Sequence, residues 1–141
     1  MKTELRIPSD LKFLTVVEHW FFGSLEVELN GLVDWQPQST RLRLAIVEAY
    51  SNVVIHAHKK QANIPVLLRL EIKEFNIVLE IWDYGNGFDI STYLPPQPED
   101  KQEGGYGLSI INNIMDRVEY SLQPNGAYCL KLETSLSVVK K

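Results

Sequence analysis

Apolar residues recur along this chain with two periods. Thr3 to Ile7 alternates and predicts a short strand, ended by Pro8. Leu11, Leu14, Val17, Phe21 and Leu25 follow at spacings of three or four, the stripe of an amphipathic helix. Ser9 or Asp10 would cap that helix, because their side-chain oxygens can accept from the free amides of its first turn. Asn30 to Gln38 reads as a loop. Ser39 or Thr40 would then cap a second helix, running through Leu42, Leu44, Ile46, Val47 and Ala49 to about His58. Nearly every side of it bears apolar residues, which predicts a central and largely covered helix.

From Pro65 the period changes to two. Val66 to Ile72 and Ile77 to Trp82 are rich in branched and aromatic residues and predict two strands joined around Phe75-Asn76. Over Phe88 to Glu103 the pattern dissolves into Pro95, Pro96, Pro98 and charges; so long a loop in a compact domain is usually functional or disordered. Gly107 to Val118 is helical in pattern, with Leu108, Ile111, Ile114 and Met115 on one face. Val118 to Leu122 and Ala127 to Thr134 predict a hairpin around Pro124-Asn125-Gly126. The order of elements, β-α-α-β-β-loop-α-β-β, implies helices layered on one face of a mixed sheet, with no repeat, no linker and one domain over residues 1–141.

Composition narrows the function classes. A chain of 141 residues with 45% hydrophobic and 23% charged residues can bury a core without staples and has a soluble globular composition. A net charge of −4 with no basic run argues against nucleic acid or an anionic membrane as the main partner. Cys129 stands alone, so it can form neither an intramolecular disulfide nor, by itself, a structural zinc site; a buried strand position is expected. With no apolar signal core at the N-terminus and no run of 18 apolar residues, the expected location is the cytoplasm.

Three segments carry candidate chemistry. Glu48, Asn52 and His56 lie at i, i+4 and i+8, along one stripe of the second helix. A carboxylate and an amide in an otherwise apolar helix cost free energy unless something satisfies them. An amide oxygen suits magnesium, and a carboxylate one turn away can accept a proton from an attacking hydroxyl. The plain alternative is the solvated side of an amphipathic helix; for His56 it is capping or packing near the helix end. Asp83, with Gly85 and Gly87, closes a strand: the glycines permit close approach to a flat ligand, and the carboxylate can accept from an exocyclic amino group of adenine. Its alternative is a hairpin turn at Asn86-Gly87. Gly104, Gly105, Tyr106, Gly107 and Leu108 open a helix whose free amides could bind phosphate, the alternative being a flexible hinge. That segment is neither a P-loop nor a dinucleotide fingerprint.

In that order and at those separations, Glu48-x-x-x-Asn52, Asp83-x-Gly85-x-Gly87 and Gly105-x-Gly107-Leu108 resemble the N, G1 and G2 boxes of the gyrase, Hsp90, histidine kinase and MutL ATPase superfamily. Within it, Val47-Glu48-Ala49 through Asn52 to His56-Ala57, Asp83 to Phe88-Asp89, and Gly105 to Ile111 followed by Met115-Asp116 resemble the anti-sigma factor serine/threonine kinases of the RsbW and SpoIIAB type. The resemblance runs the length of the chain. It implies an α+β two-layer sandwich of the histidine-kinase-like ATPase (Bergerat) type, a mixed, mainly antiparallel sheet covered on one face by three helices. It assigns Glu48 as catalytic base, Asn52 as magnesium ligand and Asp83 as the adenine-reading carboxylate, with Gly85 and Gly87 shaping the pocket. His56, Gly104, Gly105, Tyr106, Gly107 and Leu108 join the nucleotide site, and Phe88 to Glu103 becomes a lid.

The function implied is that of a magnesium- and ATP-dependent kinase that phosphorylates a small antagonist protein and holds a sigma factor inactive, with a homodimer as the implied assembly. One alternative is a nucleotide-gated binding module that transfers no phosphate, against which Glu48 counts, since a pure binder needs no base there. Another is a detached ATPase domain serving a sensor or repair assembly; no phosphoacceptor-histidine domain is expected within 141 residues.

Overall fold

Alternation sends five segments of the chain into one sheet. The computed structural model describes residues 1–33, 38–57, 63–84, 111 and 114–137, with 56 and 57 as backbone only. Its strands are β1 (Lys2–Pro8), β2 (Pro65–Lys73), β3 (Asn76–Asp83), β4 (Arg117–Leu122) and β5 (Tyr128–Ser135), in the order β1-β2-β3-β5-β4. All neighbouring pairs are antiparallel, so among the described strands the sheet is not mixed. Two of the four pairings, β2 with β3 and β4 with β5, are hairpins, which can only be antiparallel.

One face of the sheet builds the core. On β3 the buried residues Ile77, Leu79, Ile81 and Asp83 alternate with half-buried Val78, Glu80 and Trp82. Across the register, Ile81 lies between Leu68 and Leu130, and Leu79 between Leu70 and Leu132. Helices α1 (Leu14–Leu29) and α2 (Ser39–Asn52) join the same apolar cluster, α1 through Val17, Phe21, Leu25 and Leu29. Full burial of a side chain such as Phe21 contributes about 1.5–3 kcal/mol. Asp10 does cap the entry to the first helical segment, accepting from the Lys12 amide at 3.0 Å, ahead of a short 3-10 turn, Leu11–Phe13. No helix among the described residues is long and apolar enough to cross a membrane.

The second helix departs from expectation in three ways. Neither Ser39 nor Thr40 caps it. Gln38 holds that position without a side-chain cap bond; its amide instead exchanges hydrogen bonds with the Ser137 backbone at 2.8 and 3.3 Å. The helix is also not covered all round: Leu42, Ala45, Ile46, Ala49 and Tyr50 are buried, but Arg41, Arg43 and Leu44 are exposed, because the sheet and α1 meet only one side. Finally, the α-helix stops at Asn52 and continues as a π-helical turn, Val53–Ala57.

Of the three expected helices, two are fully described. Of the third, Ile111 and Ile114 are helical and most of the remainder lies outside the described residues. That pattern does not reach Val118, since β4 begins at Arg117. The Asp116 amide donates to the Glu133 carbonyl at 2.8 Å, and its carboxylate accepts from the Ser135 amide at 2.9 Å, tying the chain to β5. The closing hairpin turns where expected, with Gly126 at φ +87° and Asn125 Oδ1 accepting from the Ala127 amide. In the β2–β3 hairpin the turn falls one residue early, on Glu74 (φ +56°) and Phe75, because Asn76 already pairs with Lys73.

Candidate functional site

The end of α2 places the first two candidate residues. Tyr50 fixes this part of the helix against the end of β1. It is wholly buried, its hydroxyl lies 2.9 Å from both the Pro8 and Asp10 carbonyls, to which it donates, and it accepts from the Asp10 amide at 3.3 Å. Burial pushes the Tyr50 hydroxyl above its ordinary pKa, the hydrogen bond to the Asp10 backbone opposes that shift, and the Asp10 charge adds to it, so the group stays a neutral donor. One turn apart on this helix stand Glu48, half-buried, and Asn52, only 6% exposed.

Asn52, like Ser9, carries a buried side-chain atom whose hydrogen bonding is unmet among the described residues. Its Nδ2 is buried and has no hydrogen-bond partner among the described residues. A buried amide in that state costs about 1–3 kcal/mol. The nitrogen and oxygen of an amide exchange by a simple flip. The position therefore offers either a donor to a phosphate oxygen or a neutral oxygen to a hard cation, and the residue fits magnesium as one ligand among waters and phosphates. Among the described residues no group of three or more His, Cys, Asp or Glu side chains could enclose a metal by itself. The helix widens to the π form at the next residue, and that turn packs against β3. Single π turns occur frequently at functional sites.

Asp83 is the last inward residue of β3 and is completely buried. An ionised carboxylate there is costly unless it is hydrogen-bonded. Tyr120, on β4, donates its hydroxyl to Asp83 Oδ2 at 2.7 Å. The Tyr120 ring stacks on Tyr128, with centroids 5.3 Å apart and planes 16° apart, and Tyr128 lies directly opposite Asp83 in the β3–β5 register.

Glu48 and Asn52 thus share one helix, and Asp83 ends the strand against which the continuation of that helix packs. His56 is described only as backbone of the π turn. Gly85, Gly87, the segment 88–103 and Gly104, Gly105, Tyr106, Gly107 and Leu108 lie outside the described residues. Sequence reasoning missed Tyr120. Its only signal is its place in the alternating run Val118-x-Tyr120-x-Leu122, an inward position whose neighbours depend on strand order. A cavity of about 400 Å³ among the described residues lies away from all of these. It is lined by Lys2, Glu4, Arg69, Glu71, Glu80 and Lys131, opposed charges that include the Glu4–Arg69 pair at 2.9 Å, and contains no candidate residue.

Comparison with known proteins identifies relatives and structures of the same fold. The chain is 28% identical over 130 residues to the serine-protein kinase RsbW of Staphylococcus aureus, a match covering 86% of this chain and 79% of that protein. RsbW of strain MRSA252 matches at 28% over 124 residues, with 82% and 76% covered. Two nucleotide-free forms of the catalytic domain of histidine kinase ThkA share the fold. One has a TM-score of 0.59 at 16% identity, covering 97% of each chain. The other has a TM-score of 0.57 at 15% identity, covering 96% of this chain and 99% of that one. Residues 24–132, which hold Glu48, Asn52, Asp83 and Tyr120, match the family described as the histidine kinase-like ATPase domain. With the match spanning most of its length and the antiparallel sheet and helices of that fold in place, this chain belongs to the histidine kinase-like ATPase domain family.

Proposed function

We propose that this chain is a magnesium- and ATP-dependent serine/threonine protein kinase that phosphorylates a small antagonist protein and holds a sigma factor inactive. Phosphorylation of the antagonist then decides which partner is bound. The observation that carries the reading is the pair on α2: a half-buried carboxylate, Glu48, one turn before Asn52, whose buried amide has an unmet donor. A helix built only to pack would carry an apolar residue at the buried position of Asn52. The similarity to serine-protein kinases named RsbW supports a seryl acceptor.

In this reading Asn52 would hold magnesium through its side-chain oxygen, where the metal would supply positive charge to the nucleotide phosphates. Asp83 accepts from the adenine amino group. Glu48 accepts the proton of the acceptor hydroxyl as its oxygen bonds to the terminal phosphorus; the bond from that phosphorus to the bridging oxygen breaks, and ADP leaves. Such general-base help is worth roughly 10²–10⁴-fold, and less where the transition state is loose.

The test is phosphate transfer from labelled ATP to the small antagonist protein encoded nearby, with the modified residue mapped, for the wild type and for Glu48→Gln. The substitution keeps size and hydrogen bonding but removes the base. Wild type should label one serine or threonine, and the variant should bind ATP normally yet transfer at least about 100-fold more slowly. Equal rates would remove Glu48 from its role. No transfer to an antagonist shown to bind would leave a nucleotide-gated binding module.

A further inference from the structure

We infer that Tyr120 is a positioning residue for base recognition: its hydroxyl aims the Asp83 carboxylate and holds it as a pure acceptor, and thereby sets the preference for adenine over guanine. The inference rests on the reading of Asp83 as the residue that meets the base.

The geometry supports it in three steps. An aspartate side chain is loosely defined about its last torsion, so a carboxylate that must meet one exocyclic amino group needs something to fix its plane. The 2.7 Å bond from the Tyr120 hydroxyl to Oδ2 supplies that restraint. The tyrosine is itself held, because its half-buried ring stacks on Tyr128, which the sheet register places opposite Asp83. Asp83, Tyr128 and Tyr120 therefore form one rigid unit across three adjacent strands, β3, β5 and β4.

The second role concerns the proton. Asp83 is completely buried, with Val66 paired beside it and Ile81 two residues before it. Such a site favours the neutral acid, and a neutral acid could donate to the carbonyl oxygen that guanine presents where adenine presents an amino group. A donor already placed on Oδ2 stabilises the ionised form. An ionised group only accepts, which serves adenine and repels guanine. The selectivity would thus come from the pair and not from Asp83 alone.

The experiment is calorimetric titration of ADP and GDP into the wild type and Tyr120→Phe. Phenylalanine keeps the stacked ring on an edge strand but takes a donor from buried Asp83, so the variant should stay folded and melt about 4–12 °C below the wild type. ADP affinity should fall about 10-fold, the scale of a lost hydrogen bond to a charged group, while GDP affinity stays within about two-fold, so the ratio between them drops. Equal weakening of both nucleotides, or no change in either, would overturn the inference. In an Asp83→Asn background, Tyr120→Phe should change ADP affinity by less than about two-fold, because the residue acts through the carboxylate; an undiminished effect there would also overturn it. A wild type that binds neither nucleotide would instead refute the reading of the site as a nucleotide pocket.

Discussion

Asp83→Asn separates a recognition residue from a structural one, because the two roles move different observables. The substitution is nearly isosteric. Its remaining oxygen can still accept from Tyr120, now at 2.7 Å from a carboxylate oxygen, so that contact survives in a weaker, neutral form. Removing a charge from a completely buried position favours the folded state, and burying two new amide hydrogens opposes it. These terms are of similar size, so the nucleotide-free protein should change by no more than about 1 kcal/mol, or about 4 °C in melting temperature. Binding should respond much more strongly. Losing the charged partner of the adenine amino group costs about 1.5–3 kcal/mol, so a typical loss of about 2 kcal/mol raises the ADP dissociation constant about 30-fold. At an ADP concentration about 100 times the wild-type constant, linkage stabilises the wild type by about 2.7 kcal/mol and the variant by only about 0.9 kcal/mol. Melting curves with and without ADP, backed by calorimetry, read both quantities in one set of samples. An undiminished ADP-induced shift would refute the reasoning. So would a nucleotide-free protein destabilised by more than about 3 kcal/mol with its affinity intact, since Asp83 would then be structural.

Other consequences follow from neighbouring residues. Asn52→Leu removes an unmet buried amide, so the nucleotide-free protein should gain on the order of 1 kcal/mol in denaturant titration, while the EDTA-sensitive part of nucleotide stabilisation disappears. Tyr50→Phe leaves the Pro8 and Asp10 groups without their buried partner and should cost about 1–3 kcal/mol by thermal melting, with ADP affinity nearly unchanged. Burial, with a smaller contribution from Glu80, pushes the Cys129 thiol up to about 12. The native thiol should therefore resist a disulfide reagent at pH 8 that labels the unfolded chain at once. Its folded-state value lies above its unfolded one, so the unfolded chain releases the proton first as pH rises. The stability this group contributes is complete below about pH 9 and is lost toward pH 12, a decline that Cys129→Ala should lessen in denaturant titrations.

The elements were legible where local pattern and tertiary demand agree. β2 and β3 alternate in branched and aromatic residues, and each buries the face that alternation selects. The closing hairpin was legible because Asn125 and Gly126 do chemically what a tight turn needs. Elsewhere distant contacts decided. Ser39 and Thr40 have the better capping side chains, yet the helix starts from Gln38, whose amide is bonded to Ser137 across almost the whole chain. Val53-Val54-Ile55 looks like continuing apolar helix, but three β-branched residues in succession crowd an α-helical turn, and the backbone widens there to the π form. Strand order was not legible from pairing signals alone. In retrospect β5 buries Cys129, Leu130, Leu132 and Thr134 and takes an interior position, whereas β4 buries no residue fully and lies at the edge.

The candidate site residues stand out in the sequence for the opposite reason: they break the patterns that build the fold. An amide at the buried end of a helix and a carboxylate at the last inward position of an apolar strand are both costly to bury unless they are hydrogen-bonded. Such exceptions are visible in one dimension because they oppose their own neighbours. Tyr120 is different. A tyrosine at an inward position of a strand breaks no rule, since its ring satisfies the pattern and only its hydroxyl carries the chemistry. That hydroxyl reaches Asp83 only because β5 sits between β3 and β4, an arrangement set by the whole sheet. Polar residues that oppose the fold announce themselves in the sequence, whereas a partner such as Tyr120 works within the fold and emerges only with the strand order.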